Sequence, residues 1–153
     1  MKGFTRISMA LLMCVILTVI TGCSKISRIK NSISGDKFTD IAEDYGLEVG
    51  KKENSSITTY IAQGNDIYAE FYVFDKSSYV STSYQYITGN IESAFEDITA
   101  ETETMDGEYP RFQMKADSLN AFASVIGNTM VYAYSTSASG IGNVDEFMEK
   151  VGY

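Results

Sequence analysis

From about residue 35 onward the hydrophobic positions of the chain switch between two periods. Phe38, Ile41, Ala42 and Tyr45 fall at i, i+3, i+4 and i+7. That spacing predicts a helix with one apolar face, capped by Ser34 and running to about Tyr45. Gly46 follows as the left-handed stop residue, with Leu47 placed for the accompanying hydrophobic contact. The period then becomes two. Ile57, Thr59 and Ile61 alternate with Thr58, Tyr60 and Ala62. Ile67, Ala69, Phe71 and Val73 alternate with Tyr68, Glu70, Tyr72 and Phe74. Gln63-Gly64-Asn65-Asp66 between the two runs is turn chemistry, so the pair reads as a hairpin.

Helical spacing returns near Ser77 or Ser78, through Val80, Tyr84, Ile87, Ile91, Ala94 or Phe95, and Ile98. Gly89 weakens this helix by ~1 kcal/mol relative to alanine. Thr99–Glu108 is acidic and turn-rich and predicts a loop. Pro110 opens the next strand, where a missing N–H is tolerated. Phe112, Met114 and Ala116 face one way along it, and Asp117-Ser118-Leu119-Asn120 predicts a turn. Ala121–Ile126 and Thr129–Tyr134 flank Gly127-Asn128, a two-residue hairpin signal. A Ser/Gly stretch, Ser135–Gly142, leads to a last helix whose apolar face is Val144, Phe147, Met148 and Val151.

The predicted order is α-ββ-α-βββ-α. Every link between strands is short, which predicts an antiparallel sheet. The expected fold class is α+β: one two-layer domain over 35–153, with about five strands and the helices packed on one face. The helix-then-hairpin order, met twice, hints at a duplicated α-β-β unit.

The first 22 residues follow a different pattern. Lys2 and Arg6 precede an apolar run, Ile7–Ile20, broken only by Ser8 and Thr18. Charge, apolar core and small residues in that order are the layout of a secretory signal peptide. The run has 14 residues, short of the ~20 that a bilayer-spanning helix needs. Ile20-Thr21-Gly22-Cys23 resembles the lipobox of bacterial lipoproteins: aliphatic, small, small, cysteine. The resemblance implies removal of residues 1–22 and a diacylglycerol on the Cys23 thiol, with a further N-acyl chain as an option. It also implies a place on the outer face of the cell membrane. One acyl chain binds membranes only reversibly, whereas two make a stable anchor. Residues 23–34 then read as a tether. Lys25, Arg28 and Lys30 lie within it, and a basic residue near an anionic bilayer contributes ~1 kcal/mol.

Charge sharpens this division. Removing Lys2 and Arg6 leaves ten basic residues against 20 acidic ones, a net −10. The body from Ile33 onward holds seven basic residues against the same 20, a net −13. Nucleic acid is excluded as an expected partner, because there is no basic patch to neutralise phosphates. Cys14 lies in the discarded segment and Cys23 is the lipid site, so the domain keeps no thiol. The chain has no histidine. Thiolate chemistry, the usual zinc sites and Ser-His-Asp triads are thereby excluded.

Four features remain as candidate sites. Ser27-Arg28-Ile29-Lys30 and Ser34-Gly35-Asp36-Lys37 share the Ser-x-x-Lys spacing of penicillin-binding enzymes, but the partner motifs of that class are missing. An N-cap role accounts for Ser34. Gly140-Ile141-Gly142 stands where a phosphate-binding turn would, but too little chain follows for a parallel strand. A linker with Asn143 as helix cap is the simpler account. Glu92, Glu96, Asp97, Glu101, Glu103, Asp106 and Glu108 offer oxygens of the kind calcium prefers, without the EF-hand spacing. A solvated helix end and loop explains them. The 11 tyrosines are the fourth feature. Tyr68 and Tyr72 share one strand face, and Tyr132 and Tyr134 share another. Without tryptophan or histidine, tyrosine rings are the main side chains for stacking on sugars or gripping a partner.

Signal, tether and small acidic domain together resemble the small lipoproteins of Gram-positive bacteria. That resemblance brings no activity with it. The expectation is a membrane-anchored, non-enzymatic module that binds an envelope protein, peptide or glycan through Tyr68, Tyr72, Tyr132 and Tyr134. The competing class is a small envelope hydrolase using Ser, Asp or Glu, which would want two carboxylates in one cleft. No metal and no cofactor beyond the lipid are expected.

Overall fold

The computed structural model describes residues 30–153. Three helices and seven strands follow one another: α1 (Gly35–Asp44), β1 (Glu48–Glu53), β2 (Ile57–Gly64), β3 (Ile67–Phe74), α2 (Ser77–Ala94), β4 (Glu101–Met105), β5 (Arg111–Ala116), β6 (Leu119–Ile126), β7 (Thr129–Ser135) and α3 (Ile141–Val151). The strands form one sheet in the order β1-β2-β3-β7-β6-β5-β4. Every pairing is antiparallel. The α+β class and the antiparallel sheet are as expected. The count of five strands and the order α-ββ-α-βββ-α are corrected to seven and α-βββ-α-ββββ-α.

Both added strands are polar edges. β1 reads Glu-Val-Gly-Lys-Lys-Glu, with only Val49 half-buried. β4 reads Glu-Thr-Glu-Thr-Met, fully exposed, and replaces the loop expected at Thr99–Glu108. Neither has an apolar alternation to reveal it. Each is held by the ladder of its one neighbour, where partner context outweighs propensity. Charged edges also deter pairing with other chains.

The helices do not share a face. α1 and α3 cover one side of the sheet, where Phe38, Ala42, Val144, Phe147 and Val151 pack on Tyr60, Ala62, Phe71, Phe122 and Val131. α2 covers the other, with Val80 and Ile91 against Phe74, Met114, Leu119, Ala121 and Met130. The domain therefore has three layers, and the expected two-layer packing is wrong. The reason lies in β6, whose eight residues are all buried. A strand that is apolar on both faces needs a cover on both. α1 and α2 take opposite sides, which breaks any strict duplication.

Local signals held. The Lys37 N–H donates to Ser34 Oγ at 3.1 Å, the expected N-cap. Gly46 has φ +82° and ends α1. Leu47 N–H donates to Ala42 O and Gly46 N–H to Glu43 O, satisfying two orphan carbonyls of the last turn. Asn65 and Asp66 both have positive φ in the β2–β3 turn, and Gly127 has φ +61° in the β6–β7 turn. The second helix stops at Ala94 rather than reaching Ile98, and Leu119 and Asn120 belong to β6 rather than to a turn.

Candidate functional site

β3 and β7 are neighbours at the middle of the sheet. Their register pairs Tyr68 with Tyr134, Glu70 with Tyr132, and Tyr72 with Met130. Alternation puts Tyr68, Glu70 and Tyr72 on one face of β3, and cross-strand pairing brings Tyr132 and Tyr134 alongside. All four tyrosines singled out by sequence thus meet on the α2 side of the sheet. The rings of Tyr132 and Tyr134 stack at 5.5 Å between centroids, and Tyr68 leans on Tyr134 at 5.4 Å. The hydroxyls of Tyr68 and Tyr72 donate to the two carboxylate oxygens of Glu70.

The second wall comes from α2. Tyr86, Ile87, Asn90, Ile91, Ala94 and Phe95 face Glu70, Tyr72, Tyr132 and Tyr134 across a cavity of about 360 Å³. Tyr68 does not line this cavity; it holds Glu70 from behind. Tyr86 stands at the rim, 69% exposed. Sequence reasoning found the tyrosines and missed Glu70 and the α2 wall. The signal for Glu70 was present, since it is the one charged residue in the alternating run Tyr68–Phe74.

Burial holds two of these hydroxyls, Tyr68 and Tyr132, in their protonated forms. Burial, and then the hydrogen bond to Glu70, push the Tyr68 hydroxyl well above its ordinary value. Burial, with Tyr134 and Glu70 beside it, does the same to Tyr132. Protonated hydroxyls can donate to an anion, so the tyrosines orient Glu70 rather than compete with it. The cleft offers aromatic faces and one fixed carboxylate, a combination suited to flat or cationic groups.

The opposite face carries a polar network that the sequence did not reveal. Gln113 and Asn120 are buried among apolar residues. Gln113 Nε2 donates to Asn120 Oδ1 at 3.0 Å and to Asp145 Oδ1 at 2.8 Å. Asn120 Nδ2 donates to Ile141 O at 2.8 Å and to Asp145 Oδ1 at 3.2 Å. Lys115 Nζ closes the set at 2.6 Å from Asp145 Oδ2. Burial alone would raise the Asp145 carboxyl. The hydrogen bonds from Lys115, Asn120 and Gln113 outweigh it and hold the group below its usual value.

The remaining candidates resolve as structure. Ser34 is spent as an N-cap. Gly140 is buried, and a Cβ there would stand 2.2 Å from Ser135 Oγ and 2.7 Å from Asp66 O. This turn is packed rather than a loose linker. The N-cap is Gly140, and Asn143 lies inside the first turn of α3. Glu101 and Glu103 of the acidic stretch pair across the ladder with Lys115 and Gln113. Among the described residues, no three Asp or Glu side chains gather as a metal would require. Nor is any helix there long and apolar enough to cross a membrane. Cys23, the signal segment, Ser27 and the tether as far as residue 29 lie outside the described residues. A comparison with protein-family models, curated proteins and solved structures finds no match to this chain.

Proposed function

We propose that the chain is a lipid-anchored extracytoplasmic binding module, and that the tyrosine cleft holds its ligand, a segment of an envelope protein, peptide or glycan. The observation that carries this reading is the convergence of Tyr72, Tyr132 and Tyr134 on Glu70 beneath α2. Four hydroxyl-bearing rings on one sheet face are costly to keep half-buried if they serve only as filler, because each hydroxyl needs a partner. The strong negative charge of the body favours a ligand that presents a cationic group to the rings and to Glu70. The competing hydrolase would want a pair of carboxylates here. Glu70 is the one carboxylate among the described residues that line the cleft.

Two experiments test the two halves. Cys23→Ser abolishes lipid labelling and alters processing; a variant labelled and membrane-bound like the parent would remove the anchor. For the cleft, a photoreactive phenylalanine analogue replaces Tyr86 at the rim in intact cells. It yields an ultraviolet adduct that Tyr132→Ala and Glu70→Gln both suppress, while the analogue at Lys51, on the opposite face, yields none. An adduct that persists in both variants, or appears equally from position 51, rules the cleft out.

A further inference from the structure

On the face covered by α3, a cavity of about 470 Å³ opens between β5 and α3, lined among others by Lys30, Arg111, Lys115, Asp145, Glu149 and Tyr153. Arg111 is its unusual member. The body has a large excess of acid, yet Arg111 makes no ion pair among the described residues; those present are Lys51–Glu53, Lys115–Asp145 and Lys150–Glu146. The acidic edge strand leaves it out. Across the ladder Glu101 faces Lys115 and Glu103 faces Gln113, but Arg111 faces Met105.

The guanidinium is nevertheless held in place. Its Cζ lies 4.5 Å from the centroid of the Phe122 ring. One Nη2–H donates to Gln113 Oε1 at 2.9 Å. Gln113 cannot turn away, because its amide nitrogen is committed to Asn120 and Asp145. The Arg111 Nε is buried with no hydrogen-bond partner among the described residues. An arginine fixed by a ring and a buried amide, with no anion beside it and its Nε short of an acceptor, is costly unless something binds it. Its planar fork matches carboxylate and phosphate groups. Lys30 adds a second cation at the rim, while Lys115 is already balanced by Asp145.

We propose that this cavity is an oxyanion subsite in which Arg111 receives a phosphate or carboxylate group. The site is separate from the tyrosine cleft and rests on none of the argument for it. Two sources share the chemistry: a free anion, or the headgroup of an anionic phospholipid. Lys30 lies seven positions after Cys23, a span of at most ~25 Å. The lipid source therefore rests on the anchor reading, and the free-anion source does not.

The test uses the full chain in micelles of an uncharged detergent, with the side-chain amide resonances of Gln113, which touches Arg111 and lines the cavity, as the probe. Inorganic phosphate, acetate, and dihexanoyl phosphatidylglycerol below its micelle concentration are titrated in turn, with the phosphatidylcholine analogue as control. A saturable shift is expected with at least one anion. Arg111→Gln weakens the binding tenfold or more, and Lys150→Gln leaves it unchanged. Saturation by phosphate or acetate assigns a free anion. Saturation by the anionic lipid alone assigns a headgroup. Should Arg111→Gln not fold, Arg111→Lys keeps the charge, loses the fork and shows the same weakening. No saturable shift with any anion, or equal binding by Arg111→Lys, overturns the proposal.

Discussion

The two faces of the sheet are built to different standards. Under α1 and α3 the packing is closed. Phe38 stacks on Phe71 at 5.0 Å and meets Phe147 edge-on at 6.0 Å, and all three rings are fully buried. Such aromatic pairs contribute about 0.5–1.5 kcal/mol each beyond the area they bury. Under α2 only Val80 and Ile91 of the helix are fully covered. The tyrosines there stay half-buried around Glu70, and space remains between helix and sheet. One layer secures the fold, and the other leaves a cleft. On the proposed function, stability and binding fall on opposite surfaces of the same strands, β3 and β7.

The largest test of this contrast is a pair of truncations read by urea unfolding. Phe147→Ala opens a cavity in the closed layer and costs about 3–5 kcal/mol. Tyr132→Ala on the other face costs about 1 kcal/mol, the ordinary value for a partly exposed site. Equal losses would make the tyrosine face a second core and erase the distinction.

A smaller effect reads the tyrosine face at high pH through the difference Tyr132→Phe makes, since Tyr153 in the closed layer is raised as well. The Tyr68 and Tyr132 hydroxyls are raised above the ordinary value of 10.0 in the folded chain. Folding therefore favours their protonated forms. Their contribution is complete below pH 10 and declines as pH rises beyond it. Unfolding midpoints measured from pH 9 to 11.5 should fall, and Tyr132→Phe should flatten the slope. An unchanged slope would mean that the hydroxyls titrate as if free.

The smallest effect belongs to the polar network beside α3. Asp145 is depressed below 3.8. Its stabilisation is present above about pH 4 and is lost as pH falls through the lower folded value. The side chain is 44% exposed, so solvent screens the pairing and the loss is modest. Asp145→Asn should be less sensitive between pH 4 and 2 than the parent, as followed by thermal melts. Parallel acid curves would show that Lys115, Gln113 and Asn120 hold a carboxyl that contributes nothing.

Legibility in the sequence followed the range of the interaction. The Ser34 cap and the Gly46 stop were readable because every partner lies within a few residues. The turns near Asn65 and Gly127 were readable for the same reason, although Gln63 and Gly64, expected in the first turn, belong to β2. β1 and β4 were not, because Lys51, Lys52, Glu101 and Glu103 carry no apolar period and pair only once a neighbour is in place. The second covered face was visible in β6, but its consequence depends on where α2 travels. Tyr68, Tyr72, Tyr132 and Tyr134 could be picked out by alternation within each strand. Their meeting required the β3–β7 register, which joins residues 56 to 66 positions apart.

By itself the sequence determined the α+β class, most element positions, the acidic body, and the absence of thiol and imidazole chemistry from the domain. Composition and short-range geometry suffice for these. Tertiary structure alone decided that the helices take both faces, that Glu70 stands among the tyrosines, and that Arg111 meets no carboxylate among the described residues. Those outcomes depend on which strand lies beside which, and a side chain's charge or ring acquires its partners only when the sheet closes.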